Sequence, residues 1–233
     1  MDIVKSTLQA VRERMARAAE LAGRAADEVA LLAVSKTVPA ETVRDLARQG
    51  QLAFGESYLQ EALEKIRDLA DIDVCWHFIG PLQRNKTSRI AAHFDWVHSV
   101  DRLITAQRLS AARPQERKAL NVCLQVNISA ESSKSGIGIE TVADLAGQVR
   151  ELPGLRLRGL MGIAQAGGDV AQQRAQFAQL RRCLEDLNRQ GMALDTLSMG
   201  MTDDMEAAIA EGATIVRVGT ALFGGRINRT ATV

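Results

Sequence analysis

With 233 residues the chain is long enough for one substantial core, and that length suits a complete α/β barrel better than two ordinary domains. Hydrophobic residues make up 46% and charged residues 24%, and 29 basic against 28 acidic side chains leave a formal net charge of +1. So balanced a surface offers no strong field to nucleic acid or to an anionic membrane.

The first segment, MDIVKSTLQAVRERM, reads as an amphipathic helix rather than a signal or transit peptide. Val4, Leu8, Val11 and Met15 share one stripe, which extends through Ala18 to Ala22 before Gly23 stops it. Short apolar runs then alternate with helical segments. Strands are predicted at 30–35, 52–54, 74–79, 96–98, 120–128, 155–161, 196–198 and 214–218, with connections that suit right-handed parallel crossovers. Pro39 opens one helical segment and Gly50 closes it. Phe177, Leu180, Leu184 and Leu187 form another stripe, with Gly191 beyond its end. Thr202 is expected to cap a helix begun by Asp203 and Asp204, which Gly212 ends. The pattern predicts a single (β/α)₈ TIM-type barrel over 1–233 with an extra N-terminal helix. An open doubly wound sheet is the alternative, because the second and fourth runs are short.

No apolar run approaches the length of a membrane span. Cys75, Cys123 and Cys183 lack CxxC spacing and read as reduced residues of a cytoplasmic protein. His77, His93 and His98 lack the spacing of a metal site, so no metal is expected.

The chemically suggestive residues fall at the C-terminal ends of the predicted strands, where barrel active sites form. Lys36 follows LLAVS. Ser57 ends FGES, His77 lies late in the third strand, and Asn127 ends the fifth. Met161 and Gly162 end the sixth, Ser198 and Gly200 lie at the end of the seventh, and Arg217, Gly219 and Thr220 at the end of the eighth. A lysine is ordinarily a solvated cation. At a barrel mouth it would be partly desolvated, which exposes a nucleophilic amine fit for a Schiff base. Gly/Ser/Thr turns after strands seven and eight are where barrels commonly hold a phosphate on backbone N–H groups, although Ser198 and Thr220 also read as helix caps. Arg217 reads as half of a salt bridge or as a donor to a ring nitrogen, and His77 as a satisfied core histidine unless its surroundings say otherwise.

Six segments carry a resemblance: LLAVSKT at 31–37, FGESYLQE at 54–61, WHFIGPLQRNK at 76–86, LPGLRLRGLMGI at 152–163, LSMGMTDDMEAAI at 197–209 and RVGTALFG at 217–224. In these the chain resembles the pyridoxal phosphate homeostasis proteins. The resemblance implies a fold-type III barrel for pyridoxal 5′-phosphate (PLP), similar to the N-terminal domain of alanine racemase. It implies that Lys36 carries the cofactor as a Schiff base, that Arg217 faces the pyridine nitrogen, and that Ser198, Gly219 and Thr220 hold the phosphate. Ser57 departs from the family, where asparagine is expected in FGENY, and its shorter side chain weakens the case for a contact there.

The function so implied is a PLP carrier or buffer in cytoplasmic PLP homeostasis, without substantial turnover, with apo PLP-dependent enzymes as possible acceptors. An amino-acid racemase is the alternative. Racemisation needs acid/base groups on both faces of the substrate. Tyr58 is the one tyrosine available, and little sequence follows RVGTALFG to supply a second domain. For the same reason a monomer is expected. Lys134, in the Ser/Gly-rich loop after strand five, is a candidate second amine for releasing the cofactor, or simply a loop cation.

Overall fold

The computed structural model describes residues 2–129, 131 and 134–224, with side chains from Thr7 onward. Eight parallel strands close into a barrel in sequence order. They are β1 (Ala30–Val34), β2 (Ala53–Glu56), β3 (Cys75–Phe78), β4 (Trp96–Val100), β5 (Leu120–Val126), β6 (Leu155–Gly162), β7 (Thr196–Ser198) and β8 (Ile215–Val218). Closure is made by β8 on β1, in a register running from Ala30 opposite Ile215 to Ala33 opposite Val218. The helices are α1 (Asp2–Leu21), α2 (Ala40–Arg48), α3 (Leu59–Asp68), α4 (Thr87–His93), α5 (Leu103–Ala112), α6 (Val142–Arg150), α7 (Val170–Arg189), α8 (Met205–Ala210) and α9 (Thr220–Phe223).

Alternation along each strand sends one set of side chains to the helices and the other to the barrel axis. The outer set is apolar: Ala33, Phe54, Phe78, Val97, Leu124 and Leu160 are buried against the helical layer. Phe78 meets Phe94 edge to face at 5.2 Å. Leu8, Val11, Met15 and Ala18 bury the predicted stripe of α1, while the side chain of Val4 lies outside the described residues. Thr7 Oγ1 donates to Leu222 O at 3.0 Å, and Arg14 pairs with Glu206, so α1 is tied to α8 and α9 beside the closure of the barrel.

Several expectations need correction: strand four runs on to Val100, strand five ends at Val126, short of Asn127, and strand six reaches Gly162. Strand two runs on through Gly55 and Glu56, because these pair with His77 and Phe78 on β3, a partner no local pattern announces. Thr202 caps no helix. Asp204 takes the N-cap position of α8, and its Oδ1 accepts from Met201 N at 2.5 Å, closing a turn over 201–204.

Candidate functional site

Lys36 sits two residues beyond the last residue of β1. Leu32 and Val34 alternate toward the axis, and Lys36 follows in the turn closed by Val38 N on Ser35 O at the C-terminal end of the strand. The lysine is half-buried and has no ion pair or hydrogen bond among the described residues. Its flanking peptides are anchored. Ser35 O accepts from Val38 N at 3.0 Å and from Lys65 Nζ at 2.6 Å, and Thr37 N donates to Glu61 Oε1 at 2.6 Å.

Across the β1–β8 closure, Ala33 lies opposite Val218, so Lys36 and the Gly219–Thr220 turn leave the barrel side by side. A Cβ at Gly219 would stand 3.3 Å from Val34 O, so glycine lets this turn close on the end of β1. Leu222 N and Phe223 N donate to Gly219 O, and the N–H groups of Thr220 and Ala221 fall outside the intrahelical pattern of α9. Gly200, with φ of 90°, makes the neighbouring turn after β7. A Cβ there would meet that of Ala208 at 2.5 Å. Thr220 is exposed at the rim, whereas Ser198 is fully buried.

Below the rim, five axial side chains form one hydrogen-bonded chain. Arg217 Nη1 donates to Ser198 O at 2.6 Å and to Ser198 Oγ at 2.8 Å, and Nη2 donates to Gly162 O at 3.0 Å. His98 Nδ1 lies 2.8 Å from Ser198 Oγ, His98 Nε2 lies 2.9 Å from His77 Nδ1, and His77 Nε2 lies 3.3 Å from Cys75 Sγ. Guanidinium is a donor only, which fixes the direction of its own bond to Ser198. Ser198 Oγ accepts from Arg217, and with His98 as its Nε2–H tautomer the hydroxyl donates to His98 Nδ1. His98 then donates from Nε2 to His77, and His77 from Nε2 to the sulfur. The His77 ring also stacks on Trp96, with centroids 5.3 Å apart and planes 5° from parallel.

Burial keeps this chain uncharged except at one end. The pKa of His77 is pushed down to about 3 by burial. His98 falls well below its usual value through burial, with the charges of His77 and Arg217 adding to the effect. Burial also lowers Arg217, to about 10, against the pull of Asp204, so it stays a cation at neutral pH. Three of its five N–H donors are engaged, and the other two have no partner among the described residues.

The structure therefore gathers Lys36, Gly200, Gly219 and Thr220 at one side of the rim, with Arg217, Ser198, Met161 and His77 in the axial layer beneath. Met161 is buried and lies opposite Ser198 on β7. Ser57 is half-buried, and Gly80 packs so closely on its backbone that a Cβ would come 2.3 Å from Ser57 O. Asn127 is engaged within its own loop, donating to Glu131 O at 2.9 Å and accepting from Ser129 Oγ at 3.2 Å. Lys134 pairs with Glu131 at 2.7 Å and, with Asn127, lines a cavity of about 220 Å³ between the ends of β5 and β6. The sequence reading missed His98, Cys75, Glu56 and Lys65. A period-2 pattern placing Cys75 and His77 on one face of β3 and His98 on the next strand was the available signal for the first two. Lys65 gave none, since one lysine among the charged residues of α3 looks solvated.

The closed parallel barrel thus carries a lysine just past its first strand and an arginine on its last. The family described as alanine racemase, N-terminal domain, matches residues 6–227. An alanine racemase from Corynebacterium glutamicum shares the fold, with a TM-score of 0.66 at 16% identity over 93% of this chain and 60% of that one. Nearer relatives narrow the class. A pyridoxal phosphate homeostasis protein of Pseudomonas aeruginosa is 57% identical over 97% of both chains, and one of Escherichia coli K12 is 48% identical over 97% of this chain and 98% of its own. The structure of PipY from Synechococcus elongatus, solved with PLP bound, matches with a TM-score of 0.80 at 39% identity, covering 92% of this chain and all of that one. The chain belongs to the pyridoxal phosphate homeostasis protein family.

Proposed function

We propose that the protein binds PLP through a Schiff base on Lys36 and serves as a cytoplasmic carrier or buffer of that cofactor. The observation that carries this reading is the half-buried Lys36 amine, free of ion pairs among the described residues and placed beside the Gly219–Thr220 turn. The donor set fits the group. The backbone N–H groups at 220 and 221 and the Thr220 hydroxyl suit a phosphate. The two spare N–H donors of Arg217 suit an unprotonated ring nitrogen. When bound, PLP supplies an aldehyde that an unprotonated lysine captures reversibly. Ser198 acts in this reading chiefly by holding Arg217, since its hydroxyl is already shared between Arg217 and His98. Support comes from the PLP bound in PipY and from the names of the curated relatives.

Holding rather than transforming is favoured by what surrounds the amine. The ring nitrogens of both axial histidines are engaged, and Tyr58, the one tyrosine, is 52% exposed. No described histidine or tyrosine is thus poised as a second acid/base opposite Lys36. Apo PLP-dependent enzymes are the acceptors this reading implies. Borohydride treatment of PLP-loaded protein is expected to label the peptide containing Lys36. Lys36→Ala is expected to lose both the label and the visible absorption band. Equal covalent loading of that variant would refute the assignment.

A further inference from the structure

Three costly features converge on the peptides next to Lys36. Thr37, a β-branched residue, has φ of 65°, a left-handed conformation that such residues rarely adopt. It occupies the third position of the turn closed by Val38 N on Ser35 O, where tight turns of this kind ordinarily place glycine. Lys65 is a buried cation, 4% exposed, held between Glu56 Oε1 at 2.7 Å and Glu61 Oε1 at 2.5 Å. Glu56 is fully buried, and its second oxygen, Oε2, accepts no hydrogen bond from the described residues. Ser35 Oγ also donates to Glu56 Oε1, at 2.6 Å. Burial raises the Glu56 pKa, against the opposing pull of Lys65 and Ser35.

The cluster lies on the helix side of the barrel wall, on β2 and α3, whereas Lys36 lies in the turn that leaves the C-terminal end of β1. Its polar atoms nevertheless end on the lysine's two neighbours. Lys65 holds the carbonyl of Ser35, and Glu61 holds the N–H of Thr37. Strain and a buried unsatisfied oxygen persist where surrounding structure over-determines them, and they mark sites kept for something other than stability. We propose that Glu61, fixed by the Glu56–Lys65 pair, is a positioning residue for Lys36. By keeping Thr37 left-handed it sets the direction in which the amine leaves the rim, and so the rate at which Lys36 captures an aldehyde ligand.

The inference rests on the reading of Lys36 as the capturing amine, and the test separates the two. Capture is followed by borohydride trapping of PLP at successive times, with label mapped to Lys36. Non-covalent affinity is read by calorimetry with pyridoxine 5′-phosphate, which has no aldehyde. Losing a hydrogen bond to a charged group is expected to slow capture in Glu61→Ala by about tenfold, with analogue affinity held. Adding Thr37→Gly, which adopts the turn unaided, is expected to restore most of the rate. Glu61→Gln, which keeps an acceptor for Thr37 N, is expected to stay nearer the wild-type rate, and it supplies the same cycle if Glu61→Ala does not fold. An effect of equal size with and without the Thr37→Gly substitution overturns the proposal. So does a parallel loss of analogue binding, or an unchanged capture rate. Absence of label at Lys36 in the wild-type chain overturns the Lys36 reading itself, and the positioning role falls with it.

Discussion

The two sides of the barrel mouth are built from different materials. On the β1–β2 side, three charged side chains, Glu56, Glu61 and Lys65, converge on the peptides around Lys36, and two of them are buried. On the β7–β8 side the turns depend on Gly200 and Gly219 and on backbone N–H groups, and the one buried cation, Arg217, is bonded to neutral oxygens. A flexible amine must be aimed, and charge-assisted hydrogen bonds are short and directional enough to aim its backbone. An anionic ligand brings its own charge. It requires donors and room, which glycine and the first turn of a helix provide.

The charged side is most sensitive at Lys65, which is buried against Glu56. Replacing it with methionine leaves Glu56 buried without its counter-ion, and a loss of about 3–5 kcal/mol in unfolding free energy is expected, measurable by urea denaturation. A loss of under about 1 kcal/mol would show that the pair is easily done without.

The axial layer predicts a sensitivity to acid that the charged side does not share. Folding lowers the pKa of His77 from 6.5 to about 3, so between those values the unfolded chain binds a proton that the folded chain refuses. Stability is therefore fully present above about pH 6.5 and declines as the pH falls, by about 2 kcal/mol at pH 5 for this one histidine. His98 acts in the same direction. Melting temperature followed between about pH 7 and pH 5 checks this. His77→Gln, which cannot titrate, should flatten the acid limb, and an equally steep limb in that variant would place its origin elsewhere.

The smallest expected effect is on the glycine-rich side. On the proposed reading, Ser198→Ala with Thr220→Val should weaken PLP binding by about 1–2 kcal/mol, since the donors offered to a phosphate there include backbone N–H groups that mutation does not remove. Splitting the pair sharpens the assignment. Thr220→Val should reduce affinity for a phosphate-bearing analogue, whereas Ser198→Ala should act on the ring through Arg217. Reversed effects would return Ser198 to the phosphate.

Much of this architecture was legible in the residues. The strand-like runs and intervening amphipathic helices announced the barrel, because an alternating pattern of buried strands and one-sided helices is a local property of the chain. The placement of Lys36, Gly200, Arg217, Gly219 and Thr220 at strand ends followed from the same pattern. The extension of β2 through Gly55 and Glu56 was not legible, because it depends on pairing with β3. His98 and Lys65 were invisible as site residues for a related reason. His98 reaches Ser198 across 100 positions of sequence, and Lys65 reaches Ser35 across 30. Local sequence thus determined which residues stand at the barrel mouth, since side-chain alternation and strand ends depend on near neighbours. Only the closed barrel decided what holds them there, since a hydrogen bond between distant strands exists only once closure brings its donor and acceptor together.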